Sequence, residues 1–233
     1  MVHLRIHALI NYSIADLGTI EEWARKKGHD VQTTFVSEER GFPNVNAFDM
    51  LIILGGIMGA YEEEKHPWLK KEKQFILEAV QAKKKILGIC LGSQMLADVL
   101  GGKAYPHTHQ EVGWWEVRFD SKVEKFPLFK GLPKRIKAFQ FHGDTFDVPK
   151  DAEWLAESDG CKNQAFIYGD RILGLQFHPE FNEEKLREIA TLFIESFTEG
   201  TYKQLPEEFL GQEENMKQIK NFLFKLLDNF EDI

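Results

Sequence analysis

Residues 84–97, KKILGICLGSQMLA, carry an apolar run into a helical pattern across a turn with Cys90 at its apex. KILGI reads as a short buried strand, and SQMLADVLGG as a helix closed by glycine. A core cysteine does not need a glycine on either side. A cysteine on a sharp strand-to-helix turn does, because the turn is sterically tight, and Gly88 and Gly92 supply the small neighbours. Such a turn lifts the side chain to the carboxyl end of a sheet, where α/β folds bind ligands. The helix that follows points its N-terminus at the cysteine, which favours negative charge there and offers free N–H groups to an oxyanion. A buried cysteine in a glycine-rich turn is the plainer alternative.

The same alternation surrounds this stretch. VHLRIHAL, DVQTTFV and FDMLIILGG read as strands, the last a continuous apolar run of the kind buried in a parallel sheet. ADLGTIEEWARKKG reads as a helix, with Leu17, Ile20 and Trp23 at helical spacing and a stop at Gly28. HPWLKKEKQFILEAVQAKK is another, with Pro67 near its first position. These predict an α/β fold: a mostly parallel central sheet with helices on both faces. In the second half, EVGWWEVRFD, RIKAFQFHGD, EWLAESD, NQAFIYGD and RILGLQFHPE are short and turn-separated. They predict a small antiparallel extension that returns to the main sheet.

NEEKLREIATLFIESFTEG is a helix after the last strand, and PEEFLGQEENMKQIKNFLFKLLDNF forms a helical C-terminal tail. No repeat, low-complexity tract or linker interrupts the chain, so it reads as a domain over 1–200 with an extension, 201–233, packed on it. The tail places Ile219, Phe222, Leu223, Leu226 and Leu227 on one helical stripe. That stripe serves either packing on the domain or a face for a second copy of the chain, as a homodimer, or another partner.

The 233 residues carry a net charge of -8, a poor balance for holding nucleic acid or anionic membrane by bulk charge. Two cysteines, Cys90 and Cys161, are too few for a disulfide framework and suit a reducing cytoplasm. MVHLRIHALINYS reads as a first strand rather than a signal peptide, and no stretch is apolar enough to span a membrane.

A thiolate nucleophile needs a base, and the base needs an orienting group. His178 with Glu180 in LQFHPEF and His142 with Asp144 in QFHGDTF both qualify. Each places a histidine at the end of an apolar run and a carboxylate two residues on, on the same side if the strand continues. Spacing does not choose between them. LGGIMGAYEEE offers glycines after a buried strand, either as a tight turn or as backbone N–H groups for an oxyanion hole. His107 and His109 in HTH lack nearby carboxylate or cysteine partners and make a weak metal site. Cys161 falls in a turn and reads as structural. Trp114, Trp115 and Phe119 read as core, and EEEK and KKK as solvated charge.

GICLGSQMLA, with LGGIMG upstream and QFHPEF downstream, resembles the class I, triad-type glutamine amidotransferases, whose nucleophile motif is G-x-C-x-G-x-Q. EVGWWEV and FQFHGDTFDVP further resemble the stand-alone branch similar to the GMP synthase amidotransferase domain. The resemblance spans residues 45–182. It implies Cys90 as nucleophile, His178 as base and then acid, and Glu180 as the carboxylate orienting the imidazole. It further implies Gly56 and Leu91 as backbone oxyanion donors, and Met58, Gln94 and His142 as substrate-binding residues. The implied substrate is glutamine or a γ-glutamyl compound, hydrolysed without metal or organic cofactor. An ammonia-accepting synthetase subunit is the implied partner. Two other readings remain open at this stage: a free-standing γ-glutamyl peptide or amide hydrolase, and a non-enzymatic binding protein on the same fold.

Overall fold

The computed structural model describes residues 2–233. The first strand, β1 (Arg5–Ile10), leads into helix α1 (Thr19–Lys27), then β2 (Asp30–Phe35), β3 (Met50–Ile53), α2 (Trp68–Gln81), β4 (Lys85–Ile89) and α3 (Leu91–Val99). Five strands follow: β5 (Lys103–Phe119), β6 (Arg135–Asp147), β7 (Ala152–Glu157), β8 (Ala165–Tyr168) and β9 (Ile172–Leu175). The chain ends in helices α4 (Glu183–Leu192), α5 (Pro206–Phe209) and α6 (Glu213–Asp232).

The described strands form one nine-stranded sheet in the order β2-β1-β3-β4-β9-β8-β7-β5-β6. Strands β2, β1, β3, β4 and β9 run parallel. The other pairings are antiparallel. Side chains alternate across a strand, so the buried parallel strands feed two cores. Ile6, Ala8, Met50 and Ile52 pack on one face with Ile20 and Trp23 of α1, Leu186 of α4 and Leu223 of α6. Leu9, Leu51 and Ile53 pack on the other with Phe75 of α2 and Met95 of α3. Helices therefore cover both faces, as a continuous apolar strand requires.

β5 begins at Lys103, eight residues before EVGWWEVRFD. The apolar pattern hides this start: the opening of β5 pairs Lys103 with Asp147 and Pro106 with Asp144, and the register shifts before Glu111 meets His142. Trp114 is buried in the core, but Trp115 is only half-buried and donates its indole N–H to the Val112 carbonyl at 3.0 Å. The core reading of Trp115 is thus corrected; strand alternation turns it to the opposite face from Trp114.

The tail stripe is used within the chain. Ile219, Phe222, Leu223, Leu226 and Leu227 are all buried in the first core, so they are not a face for a second copy. Polar contacts fix the same docking: Asp228 accepts from the Trp23 indole at 2.9 Å, and Asn229 donates to the Leu128 carbonyl at 2.8 Å. The approach to α6 also follows β5, where Val112 N–H donates to the Tyr202 carbonyl at 2.9 Å. Among the described residues, no helix is long and apolar enough to cross a membrane.

Candidate active site

Cys90 sits alone between β4 and α3. Its backbone has φ 53° and ψ -112°, a strained region for any residue with a side chain. The surroundings over-determine it. Its N–H donates to the Leu175 carbonyl of β9 at 2.8 Å. Its carbonyl accepts from Ser93 N–H at 3.0 Å and from the Ser93 hydroxyl at 2.7 Å. The flanking glycines are steric necessities. A Cβ on Gly88 would stand 2.6 Å from the Gly92 carbonyl oxygen, and one on Gly92 would stand 2.1 Å from that of Ile53. The two glycines of 84–97 therefore let the β4–α3 turn close against β3.

His178 and Glu180 lie beyond the end of β9 at Leu175, so strand alternation does not bring them together. A bend does. His178 N–H is tied to the Phe139 carbonyl of β6 at 2.9 Å, and the Glu180 carbonyl accepts Thr19 N–H at 2.9 Å. Gly18 is needed there, because it adopts φ 46° and a Cβ would meet the Glu180 carbonyl oxygen at 2.3 Å. Within this frame His178 Nδ1 meets Glu180 Oε1 at 2.8 Å. Phe181 lies flat on the imidazole, with ring centroids 4.1 Å apart and planes 14° apart.

The other ring nitrogen, Nε2, is buried without a hydrogen-bond partner. Gly55 shows that the imidazole and the sulfur share one space: a Cβ there would be 3.1 Å from His178 Cε1 and 3.9 Å from Cys90 Sγ. Burial by itself lowers the basicity of His178. The charges of Glu180 and Cys90 outweigh burial and raise its pKa to about 10.

These groups open on a cavity of about 420 Å³. Gly56, Met58, Gln94 and His142 line it with Cys90, His178 and Glu180. Leu91 opens α3, so its N–H has no carbonyl of its own helix to bond. Its side chain abuts Gly56, where a Cβ would fall 2.8 Å from Leu91 Cδ2. Gln94 is buried and donates its amide to Gln176 Oε1 at 3.2 Å.

His142 is paired differently from either sequence alternative. Its Nε2 meets Glu111 Oε2 at 3.0 Å, and its Nδ1 meets the backbone carbonyl of Asp144 at 2.9 Å, not the Asp144 carboxylate. Glu111 is fully buried and also accepts from the Ser158 hydroxyl at 2.6 Å and from Gln164 Nε2 at 2.7 Å. Asp144 lines the cavity, and burial raises its pKa.

Sequence reasoning assigned Glu111 no role, although EVG contains it. A fully buried glutamate is found only in three dimensions. It also missed Asn11, which stands at the carboxyl end of β1 and donates to the Leu54 carbonyl at 3.3 Å and to Glu72 Oε1 at 3.0 Å. Glu72 is wholly buried behind that loop. Burial raises its pKa to about 8 despite the Asn11 hydrogen bond.

Cys161 is buried beside Thr145, 3.3 Å from its hydroxyl. His107 Nδ1 is held by the His109 backbone, accepting its N–H at 3.2 Å. Among the described residues, no three His, Cys, Asp or Glu side chains are grouped to hold a metal. A thiol, an imidazole with one free nitrogen, a carboxylate on the other and a helix N-terminus are the parts of an acyl-transfer site.

The family model for class-I glutamine amidotransferase matches residues 19–196, and the chain belongs to that family. Among solved structures, a glutamine amidotransferase from Thermotoga maritima superposes with a TM-score of 0.91, at 35% identity over the whole of both chains. A GMP synthase [glutamine-hydrolyzing] subunit from Sulfurisphaera tokodaii is 31% identical over 71% of this chain and 86% of its own. Gamma-glutamyl peptidase 5 of Arabidopsis thaliana is 30% identical over 63% of this chain and 59% of its own. The fold expected from the residues, a sheet with helices on both faces and a helical tail, is the fold of this family.

Proposed function

We propose that the chain hydrolyses the γ-amide bond of glutamine or of a γ-glutamyl compound through a thioester on Cys90. His178 takes the thiol proton, and the sulfur attacks the amide carbon. The resulting oxyanion is held by backbone N–H groups of Gly56 and Leu91. As the C–N bond breaks, His178 returns the proton to the leaving nitrogen, giving ammonia or an amine. Water, losing a proton to His178, then attacks the γ-glutamyl thioester; glutamate leaves and the thiol regains the proton. Glu180 holds the ring with Nε2 directed to the reacting atoms. Met58, Gln94 and His142 receive the glutamyl portion. No electron changes hands, and the steps call for no redox group.

The observation that carries this reading is the position of His178. Its Nδ1 is held by Glu180 at 2.8 Å, its Nε2 is uncommitted, and its ring carbon Cε1 shares the space over Gly55 with Cys90 Sγ. The raised pKa fits the pair before attack, when the imidazole holds the thiol proton beside the Cys90 sulfur and Glu180.

Two forms of the reaction share these steps. In one, the ammonia passes to a separate synthetase partner, as the likeness to the glutamine-hydrolysing GMP synthase subunit suggests. In the other the chain works alone on γ-glutamyl amides or peptides, as the likeness to a γ-glutamyl peptidase suggests. The apolar lining beside His178, with Phe181, Phe141 and Phe193, offers a place for a substituent on the leaving nitrogen and favours the second. Two unpaired thiols suit a reducing cytoplasm as the place of reaction.

The test is glutamate release from L-glutamine and, in parallel, from γ-glutamyl dipeptides, with Cys90→Ala protein as the blank. Release that depends on Cys90 supports the reading. Equal release by Cys90→Ala protein contradicts it.

A further inference from the structure

The cavity lining holds two kinds of group. Gln94, Gln110, His142 and Asp144 are polar. Tyr12, Ile14, Phe141, Phe181, Ile189 and Phe193 are apolar or aromatic, from the loop after β1, from β6, from the segment before α4, and from α4 and its end. Three of the rings touch and form a wall: Phe141 and Phe193 meet at 5.6 Å between centroids, and Tyr12 and Phe193 at 6.5 Å. Except for Ile189, these side chains are only partly covered, so they present apolar surface to the cavity.

Phe181, the ring stacked on His178, lines the same cavity. In the proposed reaction His178 is also the group that protonates the departing nitrogen. A substituent on that nitrogen therefore emerges beside Phe181, in the cavity that the other apolar side chains line. Free glutamine has no substituent to place there.

Charge narrows the choice further. Among the described residues lining the cavity, Lys185 is the one lysine or arginine. Its ammonium is already held by Asp16 Oδ2 at 2.7 Å, by the Ile14 carbonyl at 2.6 Å and by Glu188. A substituent carrying a carboxylate would find that cation neutralised and two acidic groups nearby.

We infer that the wall of Tyr12, Ile14, Phe141, Phe181, Ile189 and Phe193 is a leaving-group subsite for uncharged apolar or aromatic amines, so that the preferred substrates are N-substituted γ-glutamyl amides. This rests on the thioester reading above and names its substrate class. The atom balance is the same as for glutamine: the C–N bond breaks, the amine leaves with the His178 proton, and water releases glutamate.

The experiment compares kcat/KM for γ-glutamyl benzylamide, γ-glutamyl methylamide, γ-glutamylglycine and L-glutamine, with Cys90→Ala as the blank. Benzylamine and methylamine are both alkylamines, so the ratio of the first two reports mainly on the ring. Burial of a phenyl group predicts a benzyl-to-methyl ratio of about 10 to 100. γ-Glutamylglycine should rank below the benzylamide. In Phe193→Ala the ratio should fall about tenfold, with Phe193→Leu between, and thermal melts report whether each variant is folded. A Cys90-dependent ratio near one, or one unchanged in both Phe193 variants, overturns the subsite and leaves the thioester reading intact. Absence of Cys90-dependent release from all four compounds overturns the thioester reading, and the subsite with it.

Discussion

Two buried histidine–glutamate pairs place their histidines on the same cavity, and only one leaves a ring nitrogen uncommitted. His178 uses one nitrogen on Glu180 and leaves the other free beside Cys90. His142 uses both, on Glu111 and on the Asp144 carbonyl. The Glu180 carboxylate has a single partner, the His178 ring. Glu111 accepts from three side chains on two other segments, which ties β5 to β6 and to the β7–β8 turn around Ser158. A base needs an uncommitted nitrogen, while a strut needs every atom committed. The first pair is expected to govern rate, and the second to govern the fold and the shape of the binding surface.

The largest effects fall on the first pair and its target. Cys90→Ala and His178→Ala should each lower kcat by at least about 10³-fold in a glutamate-release assay, with little change in melting temperature. Glu180→Gln should lose about 10²- to 10³-fold, because the ring keeps a hydrogen-bond partner but loses its charge. Asp144→Ala should stay within about tenfold of the parent. Equal damage at Asp144 and Glu180 would reverse the assignment of the two pairs.

The second pair predicts a different signature. Glu111→Ala removes the buried acceptor shared by His142, Ser158 and Gln164 and should cost about 3 kcal/mol, measured by denaturant unfolding. His142→Ala should mainly raise KM, by about tenfold, with kcat close to the parent. A kcat loss at His142 as large as that at His178 would erase the distinction.

The smallest effect is on pH dependence. The pKa of His178 is raised in the fold to about 10 from an ordinary 6.5. The folded chain thus binds a proton that the unfolded chain has released across that window. The stability from His178 is complete below about pH 6.5 and is lost as pH rises through about 10. Glu180→Gln removes one of the charges that raise it, so melting curves should decline less steeply over this window than those of the parent.

Much of this was legible in the sequence where one residue's chemistry is local. The glycines around Cys90 announced a tight turn because no other residue fits there. The parallel strands announced themselves by unbroken apolar runs. The choice between His178 and His142 was not legible, since both carry a carboxylate two residues on. The proposed choice of His178 rests on a bend at the end of β9 and on Glu111, 31 positions from His142. The start of β5 was hidden because AYPHTHQ lacks an apolar period. The apolar wall was hidden because its members come from four separate stretches that meet only through the fold. The tail stripe was visible, but a stripe does not say what it packs on; the buried Leu223 and Phe230 do.

In the proposed reaction Cys90 carries the γ-glutamyl group during turnover. Intact-mass and peptide-mass spectrometry of protein acid-quenched while hydrolysing L-glutamine or γ-glutamyl benzylamide tests this. A mass increase of one γ-glutamyl group is expected on the peptide containing Cys90 and is expected to be absent in Cys90→Ala. Glutamate release with the adduct on Cys161, or undiminished in Cys90→Ala, would contradict it.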